Sequence, residues 1–319
     1  MFTIAFISAS GGAGKTMLAI NTAAALAIDG QRILFIDLDP SMAATRILLN
    51  GTIEECNIKI LMKRLIDYRK GDSESMPRVY DCLRPHKVPN TNAAFYVLPG
   101  GNLNEISTAI MNMPDWGLLL RELINKVMDE TMSEMKYSFD VIIIDSPNWV
   151  YQFFEMTFPL APLYVAITRP GNQEVSKFLD FLRRIIHMLR HQNIFIPRNK
   201  DYESLISYVV NQYRTGMSAK DVIETWGSVY KRIHGEFPGM RPLINNKRDD
   251  YYGDTETEFV GFKHMDGASL DSYIEDGPLY IRKVGKSKKN EARPVKQFLA
   301  YYEALKQFIL EMSPVEVAH

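Results

Sequence analysis

The sequence predicts an α/β protein with a doubly wound, mostly parallel sheet and helices on both of its faces. Two observations support this prediction. Short runs of Val, Ile, Leu and Phe recur along the chain, and runs that are apolar throughout are typical of strands buried on both faces. Longer amphipathic stretches separate these runs, and such strand–helix alternation is typical of a parallel sheet.

The individual elements follow in chain order. Strands are predicted for Phe2–Ser8 and Arg32–Asp39, and for runs that start at Ala93, Phe139, Pro162, Leu205 and Glu258. Helices are predicted for residues 16–29 and near residues 58–69, 114–136, 172–192, 218–233 and 295–312. Two polar, proline-bearing stretches, 68–92 and 235–258, are predicted to be long loops, a class that tends to be functional or mobile.

Composition narrows the class of protein. The 319 residues are 46% hydrophobic and 24% charged with a net charge of −1, so any nucleic-acid binding needs a local basic patch. Cys56 and Cys82 form no C-x-x-C pair, which rules out a disulfide scaffold, disfavours a cysteine-held zinc or iron–sulfur site and fits a reducing cytoplasm. The N-terminus reads as a strand rather than a signal peptide, and no apolar run has the roughly 20 residues of a membrane span.

The stretch SASGGAGKT, residues 8–16, follows the first strand and opens the first helix. Glycines at positions 11, 12 and 14 allow the backbone N–H groups of Gly11, Gly12, Ala13 and Gly14 to converge on phosphate oxygens. Lys15 adds a positive charge, and Thr16 offers a hydroxyl to Mg²⁺. Position 9 is alanine, a departure from the strict G-x4-G-K-[ST] pattern. The stretch predicts a P-loop that binds a nucleotide.

Acidic residues end two of the predicted strands. Asp37 and Asp39 lie in FIDLDP, and Asp145 ends FDVIIID. Ligands of open α/β sheets bind outside the carboxyl ends of the strands, so these carboxylates are expected near the loop. Asp145 has the form of a Walker B aspartate. An Asp-Pro pair also opens ordinary solvated turns, and that alternative stays open for Asp37 and Asp39.

Together, the loop, the D-x-D-P turn and the strand that ends at Asp145 resemble the ParA-type DNA partition ATPases of the deviant Walker A (ParA/MinD) family. The resemblance implies a single P-loop NTPase-like domain over residues 1–319 that binds ATP and Mg²⁺, with 235–258 as an insertion. It implies that Asn211, in VVNQY, contacts the nucleotide base. It also implies that Lys15 stabilises the β- and γ-phosphates, that Thr16, Asp37 and Asp145 hold the metal, and that Asp39 orients the attacking water.

The family's loop carries a lysine at the position of Ser10, where it reaches the nucleotide of a dimer partner. A serine hydroxyl cannot supply that cationic contact. Three interpretations remain open. Another cation, for which Arg46 is a candidate, substitutes in an ATP-sandwich homodimer; dimerisation is weaker or depends on DNA; or the protein binds ATP and hydrolyses it poorly.

The segment 281–296 is strongly basic, and in relatives non-specific DNA binding uses basic residues near the C-terminal region. A basic run is also typical of a solvated surface. We expect phosphate contacts from seven of its residues: Arg282, Lys283, Lys286, Lys288, Lys289, Arg293 and Lys296.

The resemblance favours a cytoplasmic, nucleoid-associated partition ATPase stimulated by a ParB-like centromere-binding adaptor. Alternatives are a MinD-like positioning ATPase and an ATP-binding regulator with little hydrolysis. The tail EMSPVEVAH lacks the basic amphipathic helix of MinD, which disfavours membrane binding. A metal-cluster relative would need cysteines that the chain lacks. His187 and His191 are interpreted as neighbours on a basic helix rather than as metal ligands.

Overall fold

The computed structural model describes residues 2–51, 53, 55–148, 152–157, 163–191, 200–211, 219–243, 246–247, 258–259, 273, 277–279 and 289–312. The chain packs as two compact units. The first unit comprises Met1–Phe6 and Thr16–Ala161, and the second comprises Ile7–Lys15 and Pro162–His319. The phosphate-loop glycines therefore belong to the second unit, whereas Thr16 and the three acids belong to the first.

Five strands of the eight-stranded sheet belong mainly to the first unit, in the order β3-β4-β2-β5-β1. They are β1 (Phe2–Ser8), β2 (Ile33–Asp37), β3 (Arg84–Lys87), β4 (Ala94–Leu98) and β5 (Val141–Asp145). The β1·β5, β2·β5 and β2·β4 pairs are parallel, and β3·β4 is antiparallel. Strands β2 and β5 are buried along their whole length, which explains why their sequences are apolar throughout and confirms the prediction of a mostly parallel sheet.

The helices of the first unit are α1 (Lys15–Ile28), α2 (Ala43–Leu48), α3 (Ile58–Arg69), α4 (Ser107–Met111) and α5 (Leu119–Met135). Alanine-rich α1 is a strong helix former. It ends where Gly30 takes a φ of +89° and Gln31 donates back to the carbonyl of Leu26, a glycine-dependent helix stop. Helix α3 begins at Asn57, whose side chain accepts from the amide of Ile60.

The second unit contains three further strands in the order β6-β7-β8, all parallel. These are β6 (Leu163–Thr168), β7 (Ile206–Val210) and β8 (Arg241–Pro242). Its helices are α6 (Asn172–His191), α7 (Ala219–Glu236) and α8 (Lys289–Met312). Eight apolar side chains of α6 are buried at helical spacing, and Phe298, Tyr302 and Leu305 of α8 are buried as well.

Two regions differ from the predictions. The stretch 68–92 is not a structureless loop, because it contains two 3-10 turns, strand β3 and the buried residues Val79 and Val88. Glu258 and Phe259 do form a strand, β10, but it pairs antiparallel with β9 (Asn246–Lys247) in a separate two-stranded sheet. The rest of the predicted insertion between 248 and 257 lies outside the described residues.

A disulfide joins Cys56 and Cys82, which are 26 residues apart, and Cys82 is fully buried. The two cysteines were interpreted as fitting a reducing cytoplasm, so this disulfide differs from the prediction; two cysteines 26 residues apart carry no spacing pattern that would reveal it. The bond ties Cys56, two residues before α3, to the segment that leads into β3, so this segment is held against the first unit rather than extending from it.

Candidate nucleotide site

The glycine loop has the backbone that a phosphate cradle requires. Gly12 and Gly14 take φ values of +70° and +90°, conformations that residues with a Cβ rarely adopt. Successive N–H groups in such a turn converge to form an anion-binding concavity. Helix α1 begins at Lys15, so its N-terminal dipole is available to the same anion. The Lys15 side chain is buried beside this loop's end rather than extended into solvent.

Asn211 fixes the loop from the end of β7. Its side-chain amide donates to the carbonyl of Ala13 at 2.7 Å, and its backbone N–H donates to the carbonyl of Thr168 at 2.8 Å. A Cβ at Gly14 would collide with this amide, so glycine is required there for close approach as well as for its φ. The sequence predicted that Asn211 contacts the nucleotide base, which stays a prediction; its contact with the loop was not predicted.

Ser10 is engaged by a carboxylate in the second unit. Its hydroxyl donates to Glu174 in the first turn of α6, and this hydrogen bond is the main reason why the pKa of Glu174 lies below its ordinary value. Arg169, which directly follows β6, approaches the same carboxylate, with Nη2 at 3.2 Å from Oε2. The same Nη2 lies 3.4 Å from the carbonyl oxygen of Gly11. Neither Glu174 nor Arg169 was singled out by sequence reasoning.

The acids lie together in the first unit. In the parallel register, Asp37 of β2 stands opposite Asp145 of β5, so the two strands end in carboxylates at the same end of the sheet. The hydroxyl of Thr16 donates to Oδ2 of Asp145 at 2.7 Å. Mg²⁺ in nucleotide sites is held by such a hydroxyl, a strand-end aspartate and substrate phosphates. The pair therefore fits a magnesium ion whose shell also contains phosphate oxygens and waters.

Asp37 is completely buried and heavily hydrogen-bonded. Its Oδ2 accepts from the backbone N–H of Thr45 at 2.8 Å and from the Thr45 hydroxyl at 2.7 Å. Burial, followed by the negative charge of Asp145, raises the pKa of Asp37 to about 7, although the Thr45 hydrogen bonds act in the opposite direction. A cation bound beside these acids would offset the cost of their crowded charge.

The Thr45 contacts were missed by sequence reasoning. Thr45 lies on α2, and its hydroxyl also accepts from the backbone N–H of Gly100 at 2.7 Å. A Cβ at Gly100 would stand 3.0 Å from the Asp37 carboxyl group, so a larger residue there would force Asp37 or Thr45 to shift. The loop after β4 therefore supports Asp37 through Thr45. No local sequence pattern predicts this contact between Asp37, Thr45 and Gly100.

Asp39 is also buried, although slightly more of its surface is exposed than that of Asp37. It is 9% exposed, its backbone N–H donates to Oδ1 of Asp37 at 3.2 Å, and its own Oδ1 accepts from the backbone N–H of Ser41 at 2.9 Å. The turn is thus held by side-chain acceptors, as an Asp-Pro turn can be. One carboxylate oxygen of Asp39 is fixed by this turn, which orients the side chain.

Several residues that the sequence singled out lie outside the described part of the chain or away from the glycine loop. Arg282, Lys283, Lys286 and Lys288 lie outside the described residues, and so do the side chains of Lys289, Arg293 and Lys296 at the start of α8. Arg46 is exposed on α2, in the first unit, whereas Ser10 belongs to the second. The rings of His187 and His191 lie 4.2 Å apart between centroids. In the described part of the chain, no group of three or more His, Cys, Asp or Glu side chains is placed to hold a metal ion.

Within the residues that the structure describes, every helix is too short or too polar to cross a lipid bilayer.

Comparison with known proteins places this site in a family. The model of the AAA domain family matches residues 1–192. Among solved structures, a McdA variant from Cyanothece in complex with ATP superposes with a TM-score of 0.63 at 19% identity, over 96% of both chains. A plasmid partition protein from Borrelia burgdorferi gives a TM-score of 0.56 at 15% identity, over 96% of this chain and 99% of that one.

A third similar structure is the MinC:MinD cell division protein complex of Aquifex aeolicus, with a TM-score of 0.58 at 15% identity over all of both chains. At these identities the likeness establishes the fold, while the family model matches more than half of the chain. The glycine loop, Thr16 and the strand-end acids all lie within residues 1–192. The chain belongs to the AAA domain family of P-loop ATPases, and its fold is that of the ParA/MinD type.

Proposed function

We propose that the chain is an ATP-dependent DNA partition ATPase, with residues 1–319 acting as one ATPase domain. The proposal is carried by a positive-φ glycine loop that runs directly along the chain into Thr16, whose hydroxyl donates to Asp145 at 2.7 Å. The loop is a cradle for phosphate, and the Thr16–Asp145 pair fits Mg²⁺. The similarity to McdA bound to ATP and to a plasmid partition protein supports the same assignment.

The proposed roles follow from the chemistry of each group. Amides of Gly11, Gly12, Ala13 and Gly14 bind phosphate oxygens, and Lys15 adds charge at the β- and γ-phosphates. Thr16 would ligate a magnesium ion, and Asp145 and Asp37 would anchor it. Such an ion would supply positive charge against the phosphate oxygens during phosphoryl transfer.

Asp39 accepts a hydrogen bond from the attacking water and orients it toward the γ-phosphate. Hydrolysis to ADP and phosphate then requires positioning and electrostatic stabilisation without a covalent intermediate. Asn211 contacts the adenine base, and its side-chain amide also holds the phosphate loop at Ala13.

In this proposal, ATP brings two copies together as a sandwich dimer, and the dimer binds DNA non-specifically in the cytoplasm, on the nucleoid. Arg282, Lys283, Lys286, Lys288, Lys289, Arg293 and Lys296 provide the phosphate contacts. A ParB-like centromere-binding protein stimulates hydrolysis. An ATP-binding regulator with little turnover is the second candidate, and Ser10 favours it, because the loop position that carries a lysine in relatives is here neutral and bonded to Glu174.

Two substitutions test the ATPase assignment. Lys15→Ala should abolish Mg-ATP binding in equilibrium titrations, since it removes the main phosphate cation, whereas Lys63→Ala on the exposed face of α3 should bind like the wild type. Asp39→Asn keeps an oxygen for Ser41, so it should bind Mg-ATP and lose about 100-fold or more in turnover. Wild-type turnover in Asp39→Asn would contradict the role of Asp39, and no turnover in the wild type, with or without DNA, would favour the regulator.

A gel-shift titration of the wild type and Lys15→Ala tests the proposed DNA binding. Wild-type protein should shift DNA of any sequence only with Mg-ATP, Lys15→Ala should not, and the affinity should fall steeply with salt because counterions are released. Neutralising Lys288 and Lys289 should lower the slope of log affinity against log salt by about 0.9 for each DNA phosphate that is no longer neutralised. A salt-independent affinity would contradict the basic-segment assignment.

A further inference from the structure

One arginine stands beside the glycine loop without a role in the proposed chemistry. Arg169 directly follows β6, and its Nη2 lies 3.4 Å from the carbonyl oxygen of Gly11. Its Nε is buried and has no hydrogen-bond partner in the part of the chain that the structure describes. A guanidinium has five N–H donors and cannot lose its charge in a protein. The Nε–H group of this arginine can therefore donate a hydrogen bond to a further anionic ligand.

The backbone of Arg169 is fixed relative to the loop. The carbonyl of Thr168, the preceding residue, accepts from the backbone N–H of Asn211. The side chain of the same asparagine donates to Ala13 in the loop. One residue thus bridges the end of β6 and the loop by two short hydrogen bonds, and the guanidinium stays within a side-chain length of the phosphate cradle.

Glu174 holds Arg169 on the side of the loop where residue 10 lies. Its carboxylate is 3.2 Å from Nη2 of Arg169, accepts from the Ser10 hydroxyl, and lies 3.3 Å from Nζ of Lys177. The side chain of Arg169 is 35% exposed, so it can change partner without unpacking the core. A triphosphate carries more negative charge than one carboxylate and competes for the same donors.

We propose that Arg169 is the second phosphate-binding cation of the nucleotide site and supplies, from the end of β6, the positive charge that Ser10 lacks. In the ligand-free protein Glu174 holds the guanidinium, and with ATP bound the guanidinium moves to phosphate oxygens. The nucleotide is that of the same chain or that of a second copy, since the Arg169 side chain is partly exposed to solvent. The inference rests on the proposed function, because it needs a nucleotide in the loop.

Two variants that should change nucleotide affinity in opposite directions test this proposal. The affinity is measured in equilibrium titrations of the full-length protein with Mg-ATPγS and with ADP. Arg169→Ala should weaken Mg-ATPγS binding by about 10- to 100-fold, the usual effect of removing a charge-assisted hydrogen bond. Glu174→Gln keeps an acceptor for Ser10 but removes the competing charge, so it should bind Mg-ATPγS a few-fold more tightly. A merely structural ion pair would weaken binding in both variants.

Lys177→Ala is the matched control, because Lys177 is 57% exposed and contacts the other carboxylate oxygen of Glu174. It should change the affinity by no more than about twofold. Melting temperatures of the ligand-free variants show whether each has folded, and Glu174→Gln decides the question if Arg169→Ala does not fold. Unchanged Mg-ATPγS affinity in Arg169→Ala, or weaker binding in Glu174→Gln, would overturn the proposal.

The titrations are run at protein concentrations below and above the point at which Mg-ATP changes the elution volume of the wild type. A loss of affinity at both concentrations assigns the interaction to the nucleotide of the same chain, and a loss only at the higher one assigns it to the nucleotide of a second copy. If the wild-type protein does not bind Mg-ATPγS, the proposed function fails. If the wild type binds and Arg169→Ala binds equally well, only the role of Arg169 fails.

Discussion

Replacing Asp37 by asparagine should stabilise the ligand-free protein at neutral and alkaline pH. The carboxyl group is fully buried opposite Asp145, and its pKa is raised from 3.8 to about 7. A rise of this size corresponds to about 4 kcal/mol of unfavourable free energy for the ionised form in the fold. The asparagine oxygen can still accept both hydrogen bonds from Thr45, but the hydrogen bond from the Asp39 amide is removed, at a cost of about 1 kcal/mol. We expect a net gain of about 2–3 kcal/mol.

The sign of the pH dependence follows from the direction of the shift. Because the folded pKa of Asp37 lies above the unfolded value, the native state binds the extra proton between about pH 4 and pH 7. Wild-type stability should therefore fall as the pH rises through this window. The asparagine variant lacks this titration, so its advantage should be present at pH 8 and should disappear near pH 4.

Urea unfolding followed by circular dichroism, in EDTA and without nucleotide, measures this difference at pH 8 and pH 4. Asp129→Asn, an exposed carboxylate on α5, is the control and should stay within about 0.5 kcal/mol of the wild type at both values. A variant that is less stable than the wild type at pH 8, or a difference that does not change with pH, would refute the reasoning. The stabilised variant should also bind Mg-ATP more weakly, since it lacks a carboxylate beside the metal.

Two further substitutions probe the supports of the site. Gly14→Ala combines a φ of +90° with a collision against the Asn211 amide, so it should cost about 2–4 kcal/mol in thermal unfolding and abolish Mg-ATP binding. Gly12→Ala, whose added Cβ meets open space, should cost only about 1 kcal/mol, and equal losses in the two variants would contradict the collision. Thr45→Val removes the hydroxyl between Asp37 and a backbone amide of the loop after β4. It should cost about 2–4 kcal/mol in urea unfolding, whereas Thr45→Ser should retain most of the stability.

The parts of the site that follow from sequence are those with a local signature. The glycine loop and Asp145 were predicted because each stands at the boundary of a strand, where composition changes from apolar to polar within a few residues. A helix was predicted near residues 58–69, and α3 spans Ile58–Arg69 with its buried residues at the i, i+3, i+4, i+7 spacing of a helix.

What could not be predicted depends on contacts between residues distant in sequence. Thr45 and Gly100 meet at Asp37 through hydrogen bonds that span 8 and 55 residues. The Arg169 guanidinium approaches a loop that lies 158 residues earlier in the chain. A single arginine after a strand can have many roles, and only the folded structure shows that this one lies beside the glycine loop. The Cys56–Cys82 disulfide belongs to the same class of contact.

The outermost strand of each unit carries an Arg-Pro pair, Arg84–Pro85 in β3 and Arg241–Pro242 in β8. Proline offers no amide hydrogen, and a charged neighbour resists burial against another backbone. Both strands are also short, with four and two residues. Addition of a strand from a second copy is therefore disfavoured at these two borders of the described sheet.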